Sequence, residues 1–534
     1  MKNNNIYFPA TLRGLTKFDP QYIEQELEEY KNNPCIEALP AIFSDEDIRD
    51  KFSVYPSINH EERDNRTNVR YHMIKRLKGF IQPLDNHFRI EHMVSWMIRR
   101  GYTTRNMCSK EYIIRLNYLT DIKDFVYKNK SINSEEVCRV LANKFMEFPA
   151  TQRSAAETTS IIGFSGMGKT TAIERLFLMY PQVIVHNEYM NKPLTRTQIV
   201  WLKIDSPYDG SLKTLCKMFF KAIDDVLLTT DYFKRFGENS NSSTATMMIH
   251  MAHLVSLYSI GILAIDEMQH LIKPKNDYIE VINFLVTLVN TIGVPIIQVG
   301  TPKAIEMLEK GAREVRRAEE AGCIYWDRMS KGREWEFFVE KMWQYQWLRE
   351  PTPISDEIKR VLYDLTQGVT AFTVNLFMLA QIEAMFYQTE KITVKLIERV
   401  AKSDLRMMTK LTTALKNNDF NALAKYDDVV LHIDGVLLMK SEKMNEMKRI
   451  KELSQQKKRL QQQTESNFRE QITSEIIAMG IFKYLNFTKV DEIVFNSIKQ
   501  NNAERDKYRI KQVAIEAALI EEKKEESKRK ERCE

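Results

Sequence analysis

The sequence predicts an α/β fold: a core with a parallel sheet and a small helical lid, flanked by mostly helical N- and C-terminal extensions. Two signatures and one texture predict it. The first is Gly163-Phe-Ser-Gly-Met-Gly168-Lys169-Thr170, which satisfies G-x-x-x-x-G-K-[ST] directly after the β-prone run Thr158 to Ile162. The second is an apolar run from Ile260 that ends in Asp266 and Glu267, about a hundred residues further on. Around both, short apolar runs alternate with helix-forming segments, the texture of strands and crossover helices.

Bulk properties bound the rest. At 534 residues the chain is too long for a single core, and about three folded units are expected. A hydrophobic content of 43% with 28% charged residues is ordinary for a folded protein, and a net charge of +6 says little about nucleic acid. The distribution says more: between Glu61 and Arg105, Arg63, Arg66, Arg70, Lys75, Arg76, Lys78, Arg89, Arg99, Arg100 and Arg105 outnumber the acids, so a basic face there could meet phosphate, meet an acidic partner or simply be solvated. The six cysteines (35, 108, 138, 216, 323 and 533) form no C-x-x-C pair, which points to a reducing compartment without structural metal. No run reaches the roughly 18 apolar residues of a membrane helix, and the first residues lack the apolar core of a signal peptide, so a cytoplasmic protein without membrane contact is expected.

Residues 1–130 read as a largely helical extension. Asp19-Pro20 predicts a capped helix running to about Tyr30, before Asn32-Asn33-Pro34. Ile90, Met93, Val94 and Met97 share one helical stripe and predict a helix over Arg89 to Arg100, ending at Gly101. No chemistry is visible in this region.

The core, 131–352, opens with the glycine-rich loop. Gly163, Gly166 and Gly168 let the backbone turn tightly, so that with Ser165, Met167 and Thr171 it can cradle the phosphates of ATP. Lys169 would reach the β and γ oxygens and Thr170 would hold Mg2+. The helix that follows, Thr171 to Met179, puts its N-terminus at the phosphates. Gln182 to His186 predicts a strand, then a polar loop with Pro193, then a strand over Gln198 to Asp205 and a helix from Ser211 to about Leu228. Phe236 to Thr246 reads as a turn region and Met247 to Tyr258 as helix. At the tip of the Ile260 strand, Asp266 would complete the Mg2+ shell and Glu267 would polarise the attacking water, an ATPase arrangement. A helix over Tyr278 to Thr291 leads to the strand Gly293 to Thr301. Thr301, with Gln298 behind it, is the candidate group for sensing the γ-phosphate, the alternative being a capping Thr ahead of Pro302 and a helix at Lys303 to Lys310. Arg313, Arg316 and Arg317 could supply an arginine finger to a neighbouring subunit or line a solvated helix face.

Residues 353–405 predict the lid, with helices near Ile354 to Leu365, Thr370 to Thr389 and Thr393 to Lys402. Residues 406–534 form a C-terminal extension. Within it Lys440 to Glu470 is charged and helix-favouring without coiled-coil spacing, and Glu521 to Glu534 is a tail of six acids and six bases, a solvated helix or disordered segment.

Taken in order, these signatures resemble the AAA+ superfamily of P-loop ATPases. Flanking residues narrow the resemblance. Tyr180-Pro-Gln-Val-Ile-Val-His186, Leu202 to Asp205 with Gly210-Ser-Leu-Lys213, Ile265-Asp-Glu-Met-Gln-His-Leu271, and Gly293-Val-Pro to Gly300-Thr-Pro-Lys303 look like the TnsC/TniB branch. So do Asn33-Pro34 with Ile36 to Pro40, Phe80 to Leu84, and Met97 to Tyr102, which look like the N-terminal extension of its long members from Tn-seven-type transposons. The resemblance covers about residues 30 to 430. It implies an ATP-dependent regulator of DNA transposition that forms rings or filaments, as a homo-oligomer, on double-stranded DNA. Its partners would be a TnsD/TniQ-type target selector, docked by the N-terminal extension, and the TnsA and TnsB transposase subunits, docked by the C-terminal one. By the same resemblance, Ser211, Lys213 and Lys217 match the DNA-contacting positions. Such contacts would go to phosphates, because target choice is delegated to the selector. A lid of this family carries a sensor arginine, and Gln367 to Asn375 has none. Other P-loop machines share these motifs: a helicase loader shares all of them, and a STAND-type signalling ATPase would add a Gly-x-Pro sensor that 354 to 405 lacks.

Overall fold

A computed structural model describes residues 17–128, 157–238, 242–271, 281, 284–285, 288–289, 293–303, 322–417, 419, 465–480, 482, 485–500 and 507–531. Among the described residues, eight strands fall in two sheets. The larger is five-stranded, in the order β5 (Trp201–Asp205), β6 (Ile262–Asp266), β7 (Ile296–Gly300), β2 (Thr158–Ile162), β8 (Cys323–Tyr325). Every pairing in it is parallel. β2, β6 and β7 are buried at all their positions. A parallel sheet covered on both faces needs this, and it is why β6 is a nearly unbroken apolar run rather than an alternating one, while β2 buries Thr158, Thr159 and Ser160 as well.

Helices clothe both faces. On one side the helix Leu212–Leu227 starts at Ser211, whose hydroxyl accepts from the Thr214 N–H at 3.2 Å, and it buries Leu215, Phe219, Ile223 and Val226 along one stripe. It packs with Thr244–Leu257 in one apolar core. On the other side the N-terminal extension, the helix after the glycine-rich loop and the lid share a second core, in which Tyr71, Ile74, Leu77 and Phe80 are buried with Phe338, Trp347, Leu376 and Phe377. Buried Arg70 fixes that contact with a bidentate ion pair to Glu390, both N–O distances 2.7 Å, and Trp347 Nε1 donates to Glu62 at 2.9 Å. The C-terminal helices Glu465–Ala478, Phe487–Gln500 and Lys507–Glu531 form a small core of their own around Ile472, Ile476, Val490, Val494 and Ile510. The charged tail is thus helical as far as Glu531.

The helix at Ile90 is longer than its stripe predicts, Asp85–Thr103, and the lid helices fall at Asp356–Thr366, Thr370–Phe386 and Val394–Asp404. Three expectations are corrected. The segment after Pro20 is not a helix. Lys17–Phe18 pair as β1 beside β3 (Val183–Tyr189), and the Ile23 N–H bonds the Glu37 carbonyl at 2.8 Å, leaving one short turn at Glu28–Tyr30. The polar loop around Pro193 is instead strand β4 (Lys192–Ile199), antiparallel to β3 through a turn at Met190 and Asn191, with φ of 49° and 60°. The run expected as one strand from Gln198 to Asp205 accordingly breaks after Ile199 between two sheets. The Tyr278 to Thr291 and Lys303 to Lys310 helices fall largely outside the described residues, as does most of Lys440 to Glu470. Among the described residues no helix is long and apolar enough to cross a membrane.

Candidate functional site

The strand ends of β2, β6 and β7 converge on a cavity of about 560 Å3, where parallel α/β sheets bind their ligands. Its floor is the glycine-rich loop. Gly166 and Gly168 have φ of 84° and 94°, a left-handed conformation that disfavours any Cβ. A Cβ built on Gly168 meets nothing within 4 Å, so the loop is open there as a cradle must be. Gly168 caps the helix Lys169–Phe177, whose first N–H groups lack intrahelical acceptors. Lys169 is buried, its ammonium donating to the carbonyls of Gly163 at 2.6 Å and Phe164 at 2.9 Å. Ser165, Met167, Thr170 and Thr171 all line the cavity. Gly163 does not. Its need for glycine is steric, since a Cβ would lie 2.2 Å from the Trp326 carbonyl.

Asp266 ends β6, 2% exposed. One carboxylate oxygen accepts from the Glu267 N–H at 2.8 Å, and the other lies 3.1 Å from the Lys203 ammonium. Lys203 also reaches Glu174 at 3.0 Å and Asp205 at 3.1 Å, so one buried cation joins the helix after the loop to the acidic strand end. Burial pulls the Lys203 pKa down, but Asp266, Asp205 and Glu174 outweigh it and hold it above the usual value. Glu267 is exposed, with φ of 55°. Thr301 is buried just past β7, and its hydroxyl has no partner among the described residues. Gln298 lies within β7 away from the cavity, which leaves Thr301 as the group at the tip.

The donor set fits a magnesium nucleotide. Mg2+ characteristically takes one or two carboxylates and completes its shell with phosphate oxygens and water, so Thr170 and Asp266 suffice and a cluster of three acidic or imidazole ligands is not needed. Among the described residues there is none.

The cavity roof was not legible in the sequence. Leu77, Lys78, Phe80, Ile81, Gln82, Leu84 and His87 of the N-terminal extension line it, with Phe338 from the helix Arg333–Trp343 and Val374 and Asn375 from the lid. An apolar slot with a few polar groups suits a nucleobase. Burial holds His87 neutral, lowering its pKa to about 4, and its ring meets Trp326 edge-on at 5.2 Å. The lid is fastened to the loop: the Ala371 N–H donates to Gly166 O at 3.1 Å and the Thr370 hydroxyl to Met167 O at 3.2 Å. From the lid, Thr370, Ala371, Val374 and Asn375 line the cavity.

Ser211, Lys213 and Lys217 do not line the cavity. They are half-buried at the start of the 212–227 helix, and Lys221, which is exposed, continues the i, i+4 stripe of the two lysines. Arg313, Arg316 and Arg317 lie outside the described residues.

Among curated proteins none matches the chain. Among solved structures it is similar to the Walker-type ATPase of Pyrococcus abyssi, at 14% identity over 59% of this chain and 89% of that one, TM-score 0.29. It is also similar to the Aeropyrum pernix Orc1 protein in complex with DNA, at 13% identity over 72% and 91%, TM-score 0.33. The Drosophila ORC bound to DNA is similar at 10% identity over 64% and 85%, TM-score 0.32. Residues 152–308 match the family model of the AAA domain. The parallel sheet, the glycine-rich loop and the acidic strand end, together with that match, give the chain a P-loop AAA+ fold with helical extensions, in which residues 152–308 resemble an AAA domain and support nucleotide binding and ATPase activity in general.

Proposed function

We propose that the chain is an ATP-dependent regulator of DNA transposition of the TnsC/TniB type, with Mg-ATP binding as its switch and hydrolysis as its reset. The observation that carries the switch is the cavity itself, lined jointly by the glycine-rich loop, the N-terminal extension and the lid. Nucleotide bound there would touch all three, so its presence would set their mutual arrangement. The transposition role is supported by the TnsC/TniB-like stretches on both sides of the signature motifs.

In this reading the loop N–H groups and Lys169 bind and orient the phosphates, and Thr170 and Asp266 would hold Mg2+, which would supply charge neutralisation to the phosphates. Glu267 polarises the water, Thr301 reports the γ-phosphate, and one of Arg313, Arg316 and Arg317 completes the site of a neighbouring copy. The exposed side of Ser211, Lys213, Lys217 and Lys221 faces double-stranded DNA in a ring or filament and contacts phosphates, giving strongly salt-dependent, sequence-tolerant binding. The N-terminal extension docks a TnsD/TniQ-type selector and the C-terminal helices dock the TnsA/TnsB transposase.

The test is nucleotide-dependent loading on double-stranded DNA. Lys169→Ala should abolish loading, and Glu267→Gln should trap an ATP-bound, DNA-loaded form. Equal loading by wild type and Lys169→Ala would contradict the switch.

A further inference from the structure

Gln269 sits in the short turn Met268–Leu271 just after the acidic strand end, 5% exposed and lining the cavity. Its amide joins two groups that the proposed chemistry uses. Nε2 donates to the Glu267 carboxylate, and Oε1 accepts from the Thr301 N–H at 3.2 Å. Glu267 is otherwise an exposed side chain, on a backbone whose φ of 55° is unusual for any residue but glycine. An exposed carboxylate samples several rotamers, and the hydrogen bond from Gln269 selects one. The opposite end of the same amide is fixed to the tip of β7, beside the unpartnered Thr301 hydroxyl. A side-chain amide can donate to a carboxylate through its nitrogen and accept from a backbone N–H through its oxygen at once. Glutamate in its place keeps the acceptor and loses the donor, and leucine loses both.

We propose that Gln269 is a positioning residue for ATP hydrolysis, which aligns the Glu267 carboxylate and ties its orientation to the β7 tip where Thr301 lies. This rests on the reading of Glu267 as the group that polarises water. A displacement of the β7 tip then reaches Glu267 through one side chain, and a misaligned carboxylate lowers turnover while leaving phosphate binding to the loop and Lys169.

The experiment compares wild type, Gln269→Glu, Gln269→Leu and Glu267→Gln in the full chain. The readouts are steady-state ATP hydrolysis, affinity for a fluorescent ATP analogue, and thermal unfolding. Gln269→Glu and Gln269→Leu should each lower kcat by about 10- to 100-fold, the scale of a misplaced catalytic group. Analogue affinity should stay within about threefold, because the groups that bind phosphate are untouched. Gln269→Glu separates positioning from a structural cap, since it still accepts from Thr301. If Gln269→Glu keeps kcat within about twofold of wild type, the residue only satisfies a buried N–H and the proposal is overturned. Loss of analogue binding or of the folded state in both variants overturns it too, because the residue would then be building the cavity. Wild-type hydrolysis by Glu267→Gln would instead remove the reading on which the proposal rests.

Discussion

The pair Arg70–Glu390 is where the N-terminal extension is locked to the lid, and Glu390→Gln isolates its contribution. Arg70 is fully buried and its guanidinium bonds both Glu390 oxygens at 2.7 Å, with further bonds to the carbonyls of Trp347 at 3.0 Å and Asn65 at 3.1 Å. Glutamine keeps the shape but turns one acceptor into a donor facing a donor, so a buried cation is left with carbonyls alone. Removing one partner of a buried pair costs about 3–5 kcal/mol. Glu390 is 15% exposed and water can partly replace it, which places the expected cost at the lower end, about 3 kcal/mol. That is roughly a 150-fold rise in local opening. Native-state hydrogen exchange of the helix Thr67–Ile74 and of the lid would read it directly. Because that helix continues into the segment Leu77 to His87 that roofs the cavity, the variant should also weaken ATP-analogue binding. Replacing both partners, Arg70→Met with Glu390→Met, should cost much less than the sum of the single changes. Burial would raise the Glu390 pKa, but Arg70 and the Arg349 N–H outweigh it and hold it below the ordinary value. The contribution is therefore complete above the unfolded carboxylate pKa and is lost only as pH falls through the lower folded value. Exchange in Glu390→Gln within about fivefold of wild type at neutral pH would refute the clamp.

Two further expectations concern packing and pH. Gly163→Ala would place a methyl 2.2 Å from the Trp326 carbonyl, where the Trp326 N–H bonds Ile162 at 2.7 Å, and should cost about 1–3 kcal/mol or more in chemical denaturation. A variant as stable as wild type would show that this crossing can relax. Burial lowers the pKa of His87 and His253 to about 4 and of His250 to about 3. Stability is then whole above the ordinary histidine value near 6.5 and falls as pH drops toward the folded values, by up to about 3 kcal/mol for buried His87 at the acid end and by less for the partly exposed His253. His250, stacked on Phe236 at 4.1 Å with its Nδ1 unpartnered, is the clearest test: His250→Phe should flatten the loss of thermal stability between pH 7 and 5, and an unchanged slope would count against it.

What could be read from the residues is what local physics dictates. β6 and β7 are mostly apolar because both faces are covered, and the loop glycines and the Asp266–Glu267 pair each occupy a spacing that their proposed chemistry requires. What could not be read depends on distant partners. Lys192–Ile199 is polar and contains Pro193, and it becomes a strand only because β3 pairs with it. The helix-like residues after Pro20 are held extended by Tyr22, whose ring and hydroxyl contact Tyr189 and His186 of β3, and by the Ile23 N–H bonded to the Glu37 carbonyl. Phe80, Leu84 and His87 look like ordinary core residues, and only the fold brings them over the glycine-rich loop. Gln269 is inconspicuous until Glu267 and Thr301 are seen on either side of its amide.

Electron microscopy of the purified full chain on double-stranded DNA, with a non-hydrolysable ATP analogue beside ADP, bears most directly on the switch. Rings or filaments encircling DNA with the ATP analogue alone are the expected result, with the stripe of Lys213, Lys217 and Lys221 facing the duplex and an arginine from the 313 to 317 cluster at the neighbour's nucleotide. Monomers in both nucleotides, or equal assembly in both, would contradict it and move the helicase-loader and signalling readings ahead.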